Sequence, residues 1–363
     1  MRSFGYASSP SPTRHQRNAK VKEEMKSDRR DSTLKDVAKL AGVSIATVSR
    51  VVHGIPVGKA TRSKVNAAIE ELGYSPNMAA RALRTNSSQT IACIIKGMLT
   101  PAMYPALRSI EECVRQAGYT LLLSGTDPQT DAQLRTLQTL AAKGLDGLIF
   151  SGASDHDSDI AKALASLDIP IVHLDRDPSP SADAVNISHY EATRQAVHYL
   201  NTLGHRDIAL LTVPRSMLPG RERLRGFTDA MHDCGLTINE AWMNDACIDT
   251  SASFRIASAI FSSARRPTAI IAGGLSLCAP TLSAAQQHQL ELGRDLSLIA
   301  GCDTELTALF QPGITAIQWD IAEWGQMAAE MLLERIQDSD RPTGRRVILP
   351  AQLVVRRSCG PVR

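Results

Sequence analysis

The segment from residue 34 to residue 72 constrains the fold of this 363-residue chain more than any other part of it. A first apolar stretch with helical spacing ends at Gly42, which supplies the break that a tight helix-turn-helix corner needs. Ser44 then stands where an N-cap hydroxyl satisfies free backbone amides, so a second helix is predicted from there. A third apolar stripe runs over residues 61–72 until Gly73 caps it. Three such helices predict a small DNA-reading head whose second helix is the reader.

The predicted reading helix carries two kinds of candidate DNA contact. Ile45 and Ala46 lead it, and because their side chains form no hydrogen bonds with base edges, we expect contacts with thymine methyl groups. Arg50 suits a bidentate contact with guanine; the alternative that it clamps a phosphate stays open, and we favour base readout. Thr33 and Asn77 are candidates for phosphate or helix-cap contacts. Hydroxyl side chains are expected to fix the register on the DNA backbone: Ser44, Thr47 and Ser49.

The stretches LKDVAKLAGVSIATVSRVV, ELGYSPN and AARAL resemble the LacI family of bacterial transcription regulators, and the resemblance extends more loosely over nearly the whole chain. It implies a small all-α helix-turn-helix head plus a hinge helix, joined to an α/β body of two doubly wound parallel-sheet subdomains. The body is then periplasmic-binding-protein-like, with an effector-binding domain of the GalR and PurR type. The expected division is a disordered basic tail at 1–32, a helix-turn-helix domain at 33–76, a hinge helix and linker at 77–90, and an effector-binding and dimerisation domain at 91–363. Its two subdomains are expected at 91–188 with 320–347, and at 189–319 with 348–360.

The hinge segment begins with Asn77, a good N-cap, and offers only about two turns of helix, too few to be stable alone in water. The resemblance implies that this helix orders on operator DNA, where paired hinges enter the minor groove and a leucine wedges between base pairs. Leu83 matches the wedge, and Ala80 and Arg84 are the neighbouring contact candidates. The alternative, that Leu83 packs on the body as part of a linker, stays open.

Charge is distributed unevenly along the chain. The first 90 residues carry 16 Lys and Arg against 7 Asp and Glu, a net charge of +9, whereas the whole chain carries only +3. The basic front suits phosphate binding by side chains of the head: Lys35, Lys39, Arg50, Lys59, Arg62 and Lys64. Residues 1–32 contain too little apolar material to fold alone. Met25 lies just before the family pattern, and translation from Met25 is a hypothesis.

From residue 91, short apolar strands alternate with amphipathic helices, which predicts parallel doubly wound sheets with ligands at the carboxyl ends of the strands. Asp175 ends a strand on that side. The resemblance implies an effector cleft in which Arg223 clamps hydroxyls or carboxylates and Asp303 accepts a hydroxyl. At further family contact positions this chain departs from the usual residues. Ala102 and Met103 end a stretch often written Asn-Pro-Phe-Phe, and Gly274 and Trp319 stand where polar residues are common. Trp319 either stacks on a sugar face or packs in the core. We expect a cleft that is less polar than a typical sugar site, and a sugar, sugar acid or related metabolite as effector.

The sequence gives no indication of an active site. It contains no GxGxxG, GxxxxGK or GxSxG motif, and we expect no enzyme activity and no cofactor. The seven cysteines are scattered and include no CxxC pair, so we interpret them as reduced residues whose role is packing. No metal site is expected. Asp155, Asp157 and Asp159 mimic a calcium loop, but Ile160 replaces its glycine, so a solvated loop and helix start are expected. Single histidines are interpreted as structural or surface residues: His173, His198 and His205. With no membrane-length apolar run and no secretion signal, a cytoplasmic location is expected.

These observations predict a transcriptional regulator of double-stranded DNA, in the first instance a repressor. The resemblance implies that it binds a pseudo-palindromic operator as a homodimer. Effector binding in the cleft is expected to change the spacing of the hinges and thereby the affinity for DNA. The alternative is a sugar-binding module whose head no longer regulates through DNA. An enzyme built on the same body is disfavoured. Whether the effector releases or tightens DNA binding stays open.

Overall fold

The computed structural model describes residues 32–52, 54–74, 87–95, 100–125, 130–152, 154–247, 249–338 and 340–362. The chain divides between residues 85 and 86 into two compact units, a head and a body. The predicted tail up to residue 31 lies outside the described residues. So do the four hinge candidates: Asn77, Ala80, Leu83 and Arg84.

The head contains the three predicted helices: α1 Leu34–Ala41, α2 Ile45–Val52 and α3 Lys59–Leu72. Gly42 adopts the left-handed conformation, with φ 65°, and donates its N–H to the carbonyl oxygen of Ala38, which ends α1 as predicted. The third helix begins two residues earlier than expected, because Gly58 rather than a side-chain cap precedes it. Side chains of all three helices, together with Tyr74 after α3, form the buried core of the head: Val37, Ala38, Val48, Val65, Ala68 and Tyr74.

The body contains two sheets. Its strands are β1 Thr90–Ile95, β2 Thr120–Gly125, β3 Gly147–Phe150, β4 Ile171–Leu174, β5 Asp183–Ile187, β6 Ile208–Thr212, β7 Met243–Asn244, β8 Ala269–Gly273, β9 Ser297–Ala300, β10 Thr315–Gln318, β11 Arg346–Leu349 and β12 Gln352–Val354. Within the described residues, the first sheet has the order β11-β5-β4-β3-β1-β2 and is parallel throughout. The second has the order β12-β10-β9-β8-β6-β7, in which β12 alone runs antiparallel.

Helices cover the faces of these sheets. They are α4 Tyr104–Gln116, α5 Thr130–Ala141, α6 Ser158–Ala165, α7 His189–Thr202, α8 Leu218–Asp233, α9 Thr250–Phe261, α10 Cys278–Gln287, α11 Glu305–Leu309 and α12 Ile321–Gln337. Parallel sheets need such cover because both of their faces are apolar, and β1, β3, β5, β6, β8 and β9 are buried almost throughout. The predicted architecture of two doubly wound subdomains is confirmed.

The chain passes between the two subdomains after β5, after β10 and after β11. The subdomain boundaries are expected at roughly 188, 319 and 347, and the last of these positions falls inside β11. Residues 346–349 pair with residues 184–187 of β5, so the crossing begins after Leu349. All three crossings lie near the carboxyl ends of parallel strands, where side chains from both subdomains meet.

Replacing Gly325 of α12 by alanine is expected to destabilise the body by about 2 kcal/mol. A Cβ at this position would lie 2.5 Å from the carbonyl oxygen of Ala106 in α4 and 2.8 Å from the Oγ of Ser109. The backbone of α4 would have to move, which outweighs the gain of roughly 1 kcal/mol that alanine brings to a helix interior. Urea unfolding measures the difference. Gln326→Ala, on the exposed side of the same helix, is the control, and equal stability of the two variants would contradict this close contact.

Candidate functional site

One side of α2 is open to solvent in the head. Ile45, Ala46 and Arg50 are exposed, Ile45 to 46%, whereas Val48 on the other side is fully buried. A large apolar side chain in water at the start of a helix fits contact with a thymine methyl group, and Arg50 follows Ala46 by one turn. The three side chains predicted to contact bases therefore share one accessible face.

Hydroxyl groups next to this face cap the helices. Ser44 Oγ accepts a hydrogen bond from the Thr47 N–H at 3.2 Å and lies 2.9 Å from Thr47 Oγ1. Thr33 Oγ1 donates to Asp36 Oδ2 at 2.6 Å and accepts from the Asp36 N–H, so of its two predicted roles the structure has the helix cap. The same hydrogen bond holds the pKa of Asp36 below its usual range. Ser49 is half-buried, and its contact with the DNA backbone stays a prediction.

Cationic side chains of the head are available for phosphate contacts. Those predicted for this role, besides Arg50, are all exposed: Lys35, Lys39, Lys59, Arg62 and Lys64. Arg62 also donates to the carbonyl oxygen of Ile55 at 3.4 Å. The described part of the head thus exposes several positive charges that are available for contacts with DNA phosphates.

In the body, Arg223 lies in α8 at the carboxyl ends of the second sheet and is only 4% exposed. Its side chain passes over Gly273 at the end of β8, where a Cβ would lie 2.9 Å from Arg223 Cδ. Arg223 Nη2 donates to Nδ1 of His189 at 3.1 Å, and no other hydrogen bond of its guanidinium is formed with the described residues. Burial lowers the pKa of Arg223 to about 10, which leaves it charged at neutral pH.

His189 connects Arg223 to Asp175 of the other subdomain. Its Nε2 lies 2.7 and 3.0 Å from the two carboxylate oxygens. Because a guanidinium only donates, Nδ1 must be the acceptor, and the proton lies on Nε2 facing Asp175. Burial lowers the pKa of His189, with Asp175 opposing and Arg223 adding to the effect, so the ring is neutral. Burial also disfavours the charged form of Asp175, but the interaction with His189 and the nearby arginines hold its pKa below the usual range.

A second buried cluster joins the subdomains through Asp155. Its Oδ2 accepts two hydrogen bonds of 3.3 Å from Arg221, and its Oδ1 lies 3.6 Å from Nε of Arg176, which is 3% exposed. Its N–H donates to the carbonyl oxygen of Ser216 at 3.0 Å. Burial raises the pKa of Asp155 although both arginines favour the charged form. The expectation of a solvated loop is wrong for Asp155, because long-range partners enclose it. Asp157 does cap α6, as predicted.

Asp303, predicted to accept a ligand hydroxyl, already has strong donors. Arg356 Nη1 and Nη2 donate to its two oxygens at 2.7 and 2.8 Å, and Thr307 Oγ1 donates at 2.7 Å. Burial disfavours the charged carboxylate, but the hydrogen bonds from Arg356 and Thr307 outweigh it and lower the pKa. This carboxylate is therefore held by the segment after β12.

The four remaining residues predicted to contact the effector lie in different places, some near the cleft and one in the core. Trp319, half-buried at the crossing after β10, forms a T-shaped contact with the ring of His189, with centroids 6.1 Å apart. Gly274 is buried after β8, and Ala102 is half-buried in a short 3-10 turn. Met103 is 1% exposed within the hydrophobic core of the first subdomain. Its predicted role as an effector contact is therefore corrected: its side chain packs in the core.

Three charged or polar residues of these clusters received no site role from the sequence. His189 and Arg176 follow β5 and β4 within two residues, so their place at the carboxyl ends of parallel strands was a usable signal. Arg356 follows the edge strand β12, and no local pattern connects it to Asp303, which is 53 residues away. Position after a strand would therefore have pointed to His189 and Arg176, which motif matching did not.

His173 gives the body an expected sensitivity to acid. It is 7% exposed and packs edge-on against Phe150, and burial, with help from Arg176, lowers its pKa from 6.5 to about 4. The unfolded state therefore binds a proton between these two values when the folded state does not. The low pKa of His173 therefore adds about 3 kcal/mol to the free energy of unfolding above pH 6.5 relative to pH 4. This contribution is lost as the pH falls from 6.5 towards 4.

Urea unfolding of wild type and His173→Gln between pH 7 and pH 4 measures this effect. The variant is expected to lose less stability on acidification than wild type. His156→Gln, at an exposed histidine, is the control and should follow wild type. Parallel curves for wild type and His173→Gln would show that His173 does not titrate on unfolding in this range.

Other classes of site find no support in the described part of the chain. No group of three or more His, Cys, Asp or Glu side chains there is arranged to hold a metal ion. All seven cysteines are free thiols, and four of them are buried. None of the described helices combines the length and the apolar character that crossing a membrane requires.

Two family models match the chain. Residues 33–77 match the bacterial regulatory proteins of the lacI family, and residues 197–359 match a periplasmic binding protein-like domain. The HTH-type transcriptional repressor PurR of Photobacterium profundum is 33% identical over 331 residues, which cover 90% of this chain and 98% of the relative. Both the head and the body are thus matched in one relative.

Solved structures of transcriptional regulators are similar over most of the chain. The lac repressor dimer bound to operator and the anti-inducer ONPF is similar with a TM-score of 0.78 and 28% identity, over 91% of this chain and 99% of that one. The complex of the transcriptional regulator CelR with cellobiose is similar with a TM-score of 0.68 and 25% identity, over 90% and 99%.

Proposed function

The chain belongs to the LacI family of bacterial regulatory proteins and is a DNA-binding transcriptional repressor, and on this premise we propose how it is gated. A dimer binds a pseudo-palindromic operator, and a small molecule held between the subdomains near Arg223 changes the affinity for that operator. As a member of this family, the chain is a regulator rather than an enzyme.

The observation that carries DNA binding is the exposed face of α2. Ile45, Ala46 and Arg50 lie together on a helix whose other side is fixed by the core of the head. A rigid helix that presents two apolar side chains and one arginine can distinguish base pairs in the major groove. Exposed lysines and Arg62 supply the phosphate contacts that position it.

The observation that supports gating is the way the cleft residues join the subdomains. Arg223 and His189 of the second subdomain meet Asp175 of the first, and Arg221 meets Asp155. A ligand that contacts Arg223 competes with these bonds or adds to them, and so favours one arrangement of the subdomains over another. The cellobiose complex of CelR and the ONPF complex of the lac repressor are relatives that bind small molecules.

A dimer is supported by a relative and by an exposed apolar surface. The lac repressor of similar fold is a dimer on its operator. In this chain, Leu306 and Leu309 of α11 are 52% and 77% exposed. Large apolar side chains in water at one short helix are typical of a contact surface.

Operator selection tests the first part of the proposal. Palindromes selected from random DNA are expected to bind at physiological salt at least about 10³-fold more tightly than random duplexes, with two chains per duplex by sedimentation. Raising the salt should weaken both, because phosphate contacts release counterions. Equal affinity for selected and random DNA would leave only a ligand-binding module.

Linkage tests the second part. Any small molecule that binds the body must change operator affinity by the same factor by which operator changes the affinity for that molecule. Titrating the ligand with and without saturating operator measures this factor, and its direction distinguishes an inducer from a corepressor. Equal affinities would refute gating.

A further inference from the structure

The two carboxylates predicted to lie in the effector cleft, Asp175 and Asp303, both accept hydrogen bonds from within the protein. Asp175 accepts from His189 and, at 3.3 Å, from the N–H of Ile187. Asp303 accepts from Arg356 and Thr307. A sugar hydroxyl that approaches either one meets an acceptor whose best positions are already filled. A polyhydroxylated ligand would therefore find few free acceptor positions on these two carboxylates.

The hydrogen-bond donors of the same region are, in contrast, still available. Arg223, only 4% exposed, uses one of its guanidinium N–H groups, the one that donates to His189, in hydrogen bonds with the described residues. A guanidinium presents further donors in one plane, in the spacing that a carboxylate fills with two parallel hydrogen bonds. A ligand group that only accepts hydrogen bonds, such as a carboxylate, would pair with the donors that the described residues leave unused, and so would stabilise the buried guanidinium.

Charge points in the same direction. Arg176 is buried beside Asp155, and Arg221, which is one-third exposed, lies near both Asp155 and Asp177. The buried guanidinium of Arg223 instead donates to His189, which is neutral because its Nδ1 accepts this bond. Among the described residues Arg223 therefore forms no direct ion pair with a carboxylate, and a ligand anion would supply one.

Two apolar side chains lie close to residues that contact Arg223. Trp319 forms a T-shaped contact with His189, and Leu275 lies two residues after Gly273; both are half-buried and pack against the core of the first subdomain. Neither the glycine nor the leucine offers a side-chain hydrogen bond to a hydroxyl. An indole and an aliphatic side chain favour the flat or aliphatic body of a ligand.

We propose that the effector of this repressor is a small monocarboxylate with an apolar body, its carboxylate bound by Arg223 and its body against Trp319 and Leu275. The proposal rests on the gating function above and specifies the ligand of that site. It disfavours a neutral sugar, because most of the hydroxyl-accepting positions are occupied, and an uncharged nucleobase, because such a base brings no anion to pair with Arg223.

Matched pairs of acid and amide test this inference on the full-length protein. Benzoate, phenylacetate and hexanoate are compared with benzamide, phenylacetamide and hexanamide by isothermal titration calorimetry. Acetate, gluconate, glucose and hypoxanthine are added to test charge without a body, a polyhydroxylated acid, a neutral sugar and a neutral base. At least one apolar acid is expected to bind once per chain, about tenfold or more tightly than its amide and than acetate or gluconate.

Variants locate the binding. Arg223→Gln is expected to weaken the binding of the preferred acid at least about tenfold, while Trp319→Leu keeps the preference for acid over amide but weakens benzoate relative to hexanoate. The control is Arg215→Gln, an arginine of the same subdomain that is 69% exposed and pairs with Asp245, and it should bind like wild type. Thermal unfolding of each variant without ligand establishes that it is folded, and Trp319→Leu carries the test if Arg223→Gln is not.

The outcomes separate this inference from the gating proposal. An amide that binds as well as its acid, tight binding of glucose, gluconate or hypoxanthine, or no binding by any of the apolar acids would overturn the inference. If glucose or hypoxanthine changes operator affinity while the acids do not bind, gating survives and the ligand class is wrong. If an apolar acid binds through Arg223 but leaves operator affinity unchanged, the ligand class survives and gating is wrong.

Discussion

Arg50→Met is expected to lower the affinity for the selected operator by about 10- to 100-fold at physiological salt, with little change for random DNA. Arg50 is exposed one turn after Ala46, on the same face of α2 as Ile45. Methionine keeps much of the length and apolar character of the stem but removes every donor, so the loss reports the hydrogen bonds to the base. Fluorescence anisotropy on operators with each G·C pair replaced in turn then identifies the guanine concerned.

The competing role of Arg50, a phosphate clamp, gives a different result. It would reduce binding to operator and random DNA by the same modest factor and would lower the salt dependence by about one counterion. Lys64→Met is the matched control, because Lys64 is exposed on α3 away from the reading face and is expected to show this uniform loss. If Arg50→Met behaves like Lys64→Met, base readout by Arg50 is wrong.

The head could be predicted from sequence almost residue by residue, and the reason is that its determinants are local. Gly42 ends α1 because it accepts a positive φ, and Ser44 starts α2 because its hydroxyl receives the Thr47 N–H three residues later. Helix signals of this kind act over one turn and are visible in a short stretch of sequence. The start of α3 was placed two residues late because Gly58 gives no side-chain signal.

The cleft could be predicted only in part, because its pairs join residues that are far apart in sequence. Arg223 was identified from its motif, but its partner His189 is 34 residues away, and Asp155 is 66 residues from Arg221. Such pairs depend on which strand ends the topology brings together, and no local spacing encodes them. The misplacement of Met103 has the same origin, since matching a motif position does not tell whether a side chain faces the cleft or the core.

Asp155→Ala is expected to destabilise the body by about 3 to 5 kcal/mol, the largest loss of stability that we expect from a single substitution in this protein. The Asp155 side chain is fully buried between Arg221 and Arg176, and Arg176 is 3% exposed. Removing the carboxylate leaves the charge of Arg176 in a place from which water is excluded. Urea unfolding at neutral pH measures the loss, and an unchanged dependence on urea concentration shows that the unfolded state is not the cause.

Asp159→Ala is the matched control four residues later. Its carboxylate is 64% exposed and pairs with Lys162 at 3.3 Å, so the loss is expected to stay below about 1 kcal/mol. If Asp155→Ala costs no more than this control, the buried pair is not formed.

Replacing both members of the buried pair separates the cost of an orphaned charge from the value of the pair itself. Burial raises the pKa of Asp155 even though two arginines favour its charged form, so desolvation already offsets much of their attraction. Asp155→Ala combined with Arg176→Met is therefore expected to recover more than half of the stability lost in Asp155→Ala alone, since no isolated charge remains. A double variant as unstable as the sum of its single variants would mean that Arg176 stabilises the fold through its hydrogen bonds to the carbonyl oxygens of Gly152 and Asp175 instead. In that case Asp155 would act chiefly through Arg221, as a contact between the two subdomains, and Arg221→Met should destabilise the body about as much as Asp155→Ala.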